Sequence, residues 1–261
     1  MTNKLYPPAR PQTVGEILDT SFRIFRATLL KCLPFAVLSL LAGQLAGIYS
    51  LLRGRPLQHL YPTQFDPLWV LLVLAGSLVT LTLTAAIVRR QYAIASGLPP
   101  SPRGELTAAL RLVPGLIAVS FLFLLATMAG LLLLLIPGLY IGTRLSCAVT
   151  IYLLTGRGVF ASLSYSWRLT AGNFWRLTLI FSVYIVLIIV FYVLAGVIAT
   201  ALVVPFALGD IALITAVTAA VVVVLGSIVR PFYTALALAV FGDLAVRTEG
   251  TDLAARISSP A

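Results

Sequence analysis

Midway along the chain the sequence reads Leu131-Leu-Leu-Leu-Leu-Ile136-Pro137-Gly138-Leu-Tyr140-Ile-Gly-Thr-Arg144-Leu-Ser-Cys147-Ala-Val-Thr-Ile-Tyr-Leu-Leu154. Its first six residues finish an apolar run that opens near residue 113 and is long enough to cross a bilayer, which takes about 20 residues. Pro137-Gly138 then supplies a turn, because proline lacks the N–H that a continuing helix needs and glycine bends freely. The chain must come back from the face it has reached, so residues 138–155 count as a span although they are short and hold Arg144. Working outward in both directions adds spans at roughly 30–52, 68–90, 174–203 and 211–246 to those at 113–135 and 138–155. Gly196 and Pro231 are the expected kink points in the two longest.

Composition agrees. Of 261 residues 60% are apolar and 10% charged, with mean hydropathy +1.05, against about 25% charged in an ordinary soluble domain. Too little polar surface is available to clothe a water-soluble core, which excludes soluble enzymes, disulfide-rich secreted scaffolds and disordered chains. The net charge of +10 suits an anionic lipid surface, and nucleic acid is not an expected partner. Cys32 and Cys147 lie singly in apolar runs and read as packing residues. The first apolar run starts too late and runs too long for a cleavable signal peptide, and is expected to stay in the protein.

Charge fixes the orientation. Lys4, Arg10, Arg23, Arg26, Lys31, Arg89, Arg90, Arg103, Arg111, Arg157, Arg168, Arg176, Arg247 and Arg256 fall on one side, and only Arg53 and Arg55 on the other. By the positive-inside rule both termini are cytoplasmic, which requires an even number of spans. Aromatic belts are expected from Tyr61, Trp69, Tyr140 and Phe206 outside and from Trp167, Phe174, Trp175 and Phe241 inside. The chain reads as one polytopic domain over residues 1–261, ending in a cytoplasmic tail at 251–261.

Each hairpin of spans is preceded by a short amphipathic stretch. The first begins at the capping box Thr13-Val-Gly-Glu16, with Val14, Ile17, Leu18, Phe22 and Phe25 on one face. The second begins at Ser101-Pro102, and the third covers residues 159–170. Aligning Phe22-Arg23-Ile24, Leu110-Arg111-Leu112 and Trp167-Arg168-Leu169 gives one unit used three times, at 13–97, 101–156 and 158–250, closed by Gly97, Gly156 and Gly250. The expected fold is all-α and integral to the membrane. It has six transmembrane helices as three hairpins about a pseudo-threefold axis, with interfacial helices that carry a basic collar of Arg23, Arg26, Arg111, Arg168 and Arg176. The same stretches could instead be soluble connectors.

Pro11-Gln-Thr-Val-Gly-Glu-Ile-Leu-Asp19 with Phe22-Arg23-Ile24-Phe25-Arg26, Ile136-Pro-Gly-Leu139, Ser166-Trp-Arg-Leu-Thr-Ala-Gly-Asn-Phe-Trp175, and Asp243-Leu-Ala-Val-Arg247-Thr-Glu-Gly250-Thr-Asp-Leu253 together resemble the bacterial glycerophosphoryl diester phosphodiesterase membrane domain family. The resemblance runs over nearly the whole chain and implies a six-helix domain of the bacterial inner membrane. The catalytic domain to which such domains are sometimes fused is absent, so hydrolase activity does not follow. Phe241-Gly242 stands where that family tends to have tyrosines.

No catalytic residue, metal-ligand set or cofactor is expected. The single histidine, His59, reads as a solvated loop residue, and none of the eight acids lies deep in a span. Charge deep in the membrane comes from Arg144 and Arg230, each about 18 Å from the inner end of its helix at 1.5 Å per residue. An arginine at that depth costs about 2.5–3.5 kcal/mol to insert and needs compensation. Both could hold an anion, a lipid phosphate or a carboxylate, by bidentate hydrogen bonds. The structural alternative is snorkelling to the outer face for Arg144 and, for Arg230, capping of carbonyls freed by Pro231. The first expectation is a non-enzymatic inner-membrane protein that engages anionic lipid or an anionic amphiphile. A transporter for a small anionic solute is the second. The third is an anchoring or accessory subunit, its protein partner at the cytoplasmic face. Gly43-x-x-x-Gly47 reads as packing within the chain rather than dimerisation.

Overall fold

The computed structural model describes residues 5–53, 66–205 and 211–258. Among them the regular structure is all helical: α1 (Val14–Gly43), α2 (Leu45–Leu52), α3 (Pro67–Ala95), α4 (Pro102–Leu133), α5 (Leu135–Leu145), α6 (Ala148–Thr155), α7 (Val159–Leu169), α8 (Phe174–Val203) and α9 (Ile211–Ser258). Six stretches are long and apolar enough to cross a membrane, with α5 and α6 counted together as Leu135–Thr155 and α9 contributing Val224–Thr248. Their outer surfaces are apolar as well. Leu132 is 86% exposed and Ile136 77%, a surface that lipid tolerates and water does not. The chain is a multi-pass membrane protein. Lys4, Arg55, His59, Tyr61, Phe206 and Asp210, and the side chains of Glu249, Asp252 and Arg256, lie outside the described residues.

Helix starts follow the capping chemistry. The Thr13 hydroxyl accepts from the Glu16 amide while the Glu16 carboxylate accepts from the Thr13 amide, and Asp66 and Ser101 cap α3 and α4 ahead of prolines in the first turn. Two of the amphipathic stretches are not separate helices. α1 continues for 30 residues through Pro34 and α4 for 32 through Pro114, each proline removing one ladder hydrogen bond without ending the helix. Only α7 stands alone, between Gly156, at φ +68°, and Gly172, at φ +75°. Gly97 also takes a left-handed conformation, φ +74°, whereas Gly250, expected to close the last unit, lies inside α9.

Contacts pair the helices antiparallel. Along α1 and α3, Gln91 donates to the Thr28 hydroxyl (3.4 Å) and Thr80 to the Ser39 carbonyl (2.8 Å), and Gly76 lies so close to Ala42 that a Cβ there would collide with the Ala42 carbonyl oxygen. Along α4 and α5–α6, Gly130 lies against Gly138, Gly142 against Thr127, and Tyr152 donates to the Leu112 carbonyl (3.2 Å). Along α8 and α9, Arg176 meets Asp243, the rings of Tyr184 and Tyr233 lie 5.4 Å apart at a 48° tilt, and Thr200 meets Thr218. The largest core cluster gathers Ala235, Leu236, Leu238, Ala239 and Val240 of α9 with Ile17 and Ile24 of α1 and Leu177 and Ile180 of α8. Cys32 and Cys147 are buried and free.

The aromatic-belt assignment fails at Tyr140. Its ring lies 5.9 Å from Trp167 and 5.3 Å from Phe174, so it cannot sit about 30 Å away from them at the opposite interface. The helix is broken between α5 and α6 at Ser146-Cys147, and α7 folds back antiparallel along it, so residue count does not measure depth on this part of the chain.

The Gly76 contact gives a test. Gly76→Ala is expected to lower stability by about 1–3 kcal/mol, as overpacking against rigid backbone does. Gly196→Ala, where nothing lies within 4 Å of the added Cβ, should be neutral. Thermal unfolding in detergent measures both.

Candidate functional site: the arginines in the apolar core

Arg144 is in the last turn of α5, where a helix leaves carbonyls without partners. The break at Ser146-Cys147 exposes its own carbonyl, and two hydroxyls of α7 fill the gap: Ser166 and Thr170 each donate to the Arg144 oxygen at 3.0 Å. The side chain is buried, with its guanidinium carbon 4.6 Å from the Trp167 ring centre and 5.7 Å from that of Tyr140. Nε has no hydrogen-bond partner. Compensation therefore comes from two ring faces, worth about 2 kcal/mol when desolvated. The buried side chain does not snorkel to the outer face, one of the two arrangements expected from sequence.

Arg176 also departs from expectation. Placed in the basic collar by sequence, it instead donates to the Asp243 carboxylate at 2.8 Å. Asp243 is fully buried and also accepts from Arg247 Nε (3.0 Å) and from the Gln12 amide (2.6 Å). Both arginines donate to the Gln12 carbonyl as well. One carboxylate so ties the segment before α1 to the inner ends of α8 and α9. Gly242 makes room for this, since a Cβ there would press on Tyr6 and Pro8. The four-residue spacing of Asp243 and Arg247 is a helix ion-pair signal legible in sequence; the link to Arg176 is long-range and carries none. Arg23, Arg26, Arg111 and Arg168 are exposed, and Arg23 pairs with Asp19 at 2.9 Å.

Arg230 differs from both. Its Nη1 donates to the Ser39 hydroxyl on α1 at 2.9 Å. Around it, Gln91 donates to the Pro231 oxygen (2.8 Å), and Thr234 donates to the oxygens of Pro231 (3.1 Å) and Arg230 (3.3 Å). The guanidinium borders a cavity of about 360 Å³ shared by α1, α8 and α9 and lined by Ser39, Leu40, Gly43, Gln44, Tyr192, Gly226 and Arg230. Gly226 keeps it open, a Cβ there falling 2.9 Å from the Tyr192 hydroxyl. None of the lining residues is acidic. The wall thus offers one full positive charge and neutral hydroxyl and amide groups, the chemistry that receives an anion. Arg144 lines none of the described cavities. Sequence located Arg230; it could not show Ser39, Gln44 and Tyr192 meeting it from other helices.

Among known protein families, curated proteins and solved structures, none matches this chain.

The two arginines should part company on mutation. Trp167→Leu or Arg144→Ala is expected to destabilise the protein by about 1–3 kcal/mol through loss of the ring contacts and burial. Arg230→Ala should leave stability unchanged or raise it, since an inserted arginine is itself unfavourable. Denaturant titration in mixed micelles reads the difference.

Proposed function

We propose that this protein is a non-enzymatic, lipid-handling component of a bacterial inner membrane that holds the anionic group of a lipid or other amphiphile at Arg230. One observation carries the reading: a guanidinium within a membrane span whose side-chain partner is a neutral hydroxyl, facing an open cavity without an acid in its wall. In the apolar part of a bilayer a charge in that position, with no ring face or carbonyl of the described residues against it, is well compensated by an anion that joins it. Arg144 serves the fold instead, and Arg176 the clasp at Asp243.

The membrane arrangement belongs to the same proposal. Six spans form three hairpins with both termini cytoplasmic, and Arg23, Arg26, Arg111 and Arg168 lie against the inner leaflet, where each basic residue near an anionic surface contributes about 1 kcal/mol. Phe22 and Leu110, the apolar residues just before two of these arginines, are exposed, as a helix face dipping into the headgroup layer requires. Membership of the glycerophosphoryl diester phosphodiesterase membrane domain family, which the motifs resemble, is part of this reading.

Native mass spectrometry of the protein with its co-extracted lipids tests it. Wild type is expected to retain anionic phospholipid, and Arg230→Gln to lose it by about tenfold or more, the equivalent of one charge-assisted hydrogen bond. Equal retention by both proteins would overturn the proposal, and uptake of small anions into liposomes without bound lipid would replace it with a transporter.

A further inference from the structure

Arg89 and Arg90 stand side by side near the end of α3, and successive residues of a helix point about 100° apart. Arg90 turns over the Phe35 ring of α1 (5.2 Å) and comes to 3.8 Å from the carboxylate of Glu105. Arg89 turns another way, and its Nη1 donates to the Leu153 carbonyl at the end of α6 (2.9 Å). Beside it opens a cavity of about 240 Å³, walled by Arg89 and Tyr92 of α3, Ser101, Gly104 and Glu105 where α4 starts, and Leu154 of α6. Unlike the Arg230 cavity, this one has both signs of charge in its wall. It lies at the end of the bundle where the Leu5 and Tyr6 amides donate to the Ala95 carbonyl, the cytoplasmic face in the arrangement proposed above.

Neither wall charge is used up by the protein. A guanidinium carries five N–H donors, and the described residues give Arg89 one acceptor, the Leu153 carbonyl. Glu105 is 7% exposed. One of its carboxylate oxygens accepts from the Ser101 amide (3.2 Å), and the other accepts no hydrogen bond. An ionised carboxylate has about four lone-pair sites, so this one has room for a further donor.

We infer that the cavity binds an ammonioethyl phosphate group, the headgroup of an inner-leaflet phosphatidylethanolamine, with its phosphate at Arg89 and its ammonium at Glu105. Each half of the group answers one charge of the wall. A guanidinium holds phosphate oxygens by charge-assisted hydrogen bonds, and an ammonium brings three N–H donors to a carboxylate. An anion alone would meet Glu105 as a like charge, and a cation alone would meet Arg89 as one. Leu98 and Pro99, which also line the cavity, are exposed, and so set apolar surface beside the polar wall, as a headgroup with attached acyl chains requires. The site is built from α3, α4 and α6 and does not rest on the reading of Arg230.

The test is native mass spectrometry of the protein in detergent, offered dioleoyl phosphatidylethanolamine, its N-methyl and N,N-dimethyl forms, or dioleoyl phosphatidylcholine. All four share the phosphate and the chains, so the series reads the ammonium alone. Wild type should retain phosphatidylethanolamine over phosphatidylcholine by about tenfold, the equivalent of one charge-assisted hydrogen bond. The final methyl, which removes the last N–H, should lower retention most. Glu105→Gln keeps an acceptor for the Ser101 amide and should abolish the preference, Arg89→Gln should weaken both lipids, and Arg230→Gln should leave the preference unchanged. Equal retention of the four lipids by wild type would overturn the proposal without any variant having to fold. A preference that survives Glu105→Gln, or one that disappears in Arg230→Gln, would overturn it too. Soluble phosphoethanolamine binding as tightly as the lipid would contradict a lipid as the source of the group.

Discussion

A charge in an apolar medium must be met by something, and the fold is organised by how each of its inward charges is met. Moving an ion out of water costs several kcal/mol even after relaxation, so in a chain with 10% charged residues each such position demands a local solution. Asp243 is met by two guanidiniums and a backbone amide, a closed arrangement that binds the start of α1 to α8 and α9. Arg144 is met by the faces of Trp167 and Tyr140. Arg230 has a single neutral hydroxyl beside an open cavity. The first two solutions are built from the protein's own groups; the third has room for a partner, which is why function is assigned there.

Packing in this molecule relies less on the hydrophobic effect than a soluble core does, since lipid is as apolar as leucine. Close backbone approach and hydroxyl hydrogen bonds take its place. Gly76 against Ala42 and Gly130 against Gly138 bring pairs of helices together, and Thr80 on the Ser39 carbonyl and Tyr152 on the Leu112 carbonyl cross-link them. The α7 hydroxyls on the Arg144 carbonyl repair a helix end that would otherwise stand unsatisfied in the membrane. Ser39 joins this packing to the proposed site, because its carbonyl holds α3 while its hydroxyl receives Arg230.

How far the sequence could be read follows from the range of each signal. Span number, the all-helical class and helix starts were legible because apolar run length and capping residues act within about 20 residues of chain. Continuity of α1 and α4 was misjudged because a change in surface polarity was taken for a helix boundary, whereas the backbone of a helix continues until something breaks it. The belt position of Tyr140 was misjudged because depth was counted along an unbroken helix, and the break at Ser146-Cys147 with the fold-back of α7 invalidates that count. At the site, Arg144 and Arg230 stood out as charges in apolar runs, but their partners come from α7 and from α1 and α8, and such pairings between distant segments leave no trace in spacing. Arg176 looked like one more collar arginine for the same reason.

The most direct measurement of the central claim is an electron cryomicroscopy map of the protein in a nanodisc of phosphatidylglycerol and phosphatidylethanolamine, at a resolution that shows side chains. The account predicts headgroup density within hydrogen-bond reach of the Arg230 guanidinium, between Ser39 and Tyr192. A guanidinium whose free donors are all taken by protein carbonyls or ordered water, with no lipid density beside it, would contradict it.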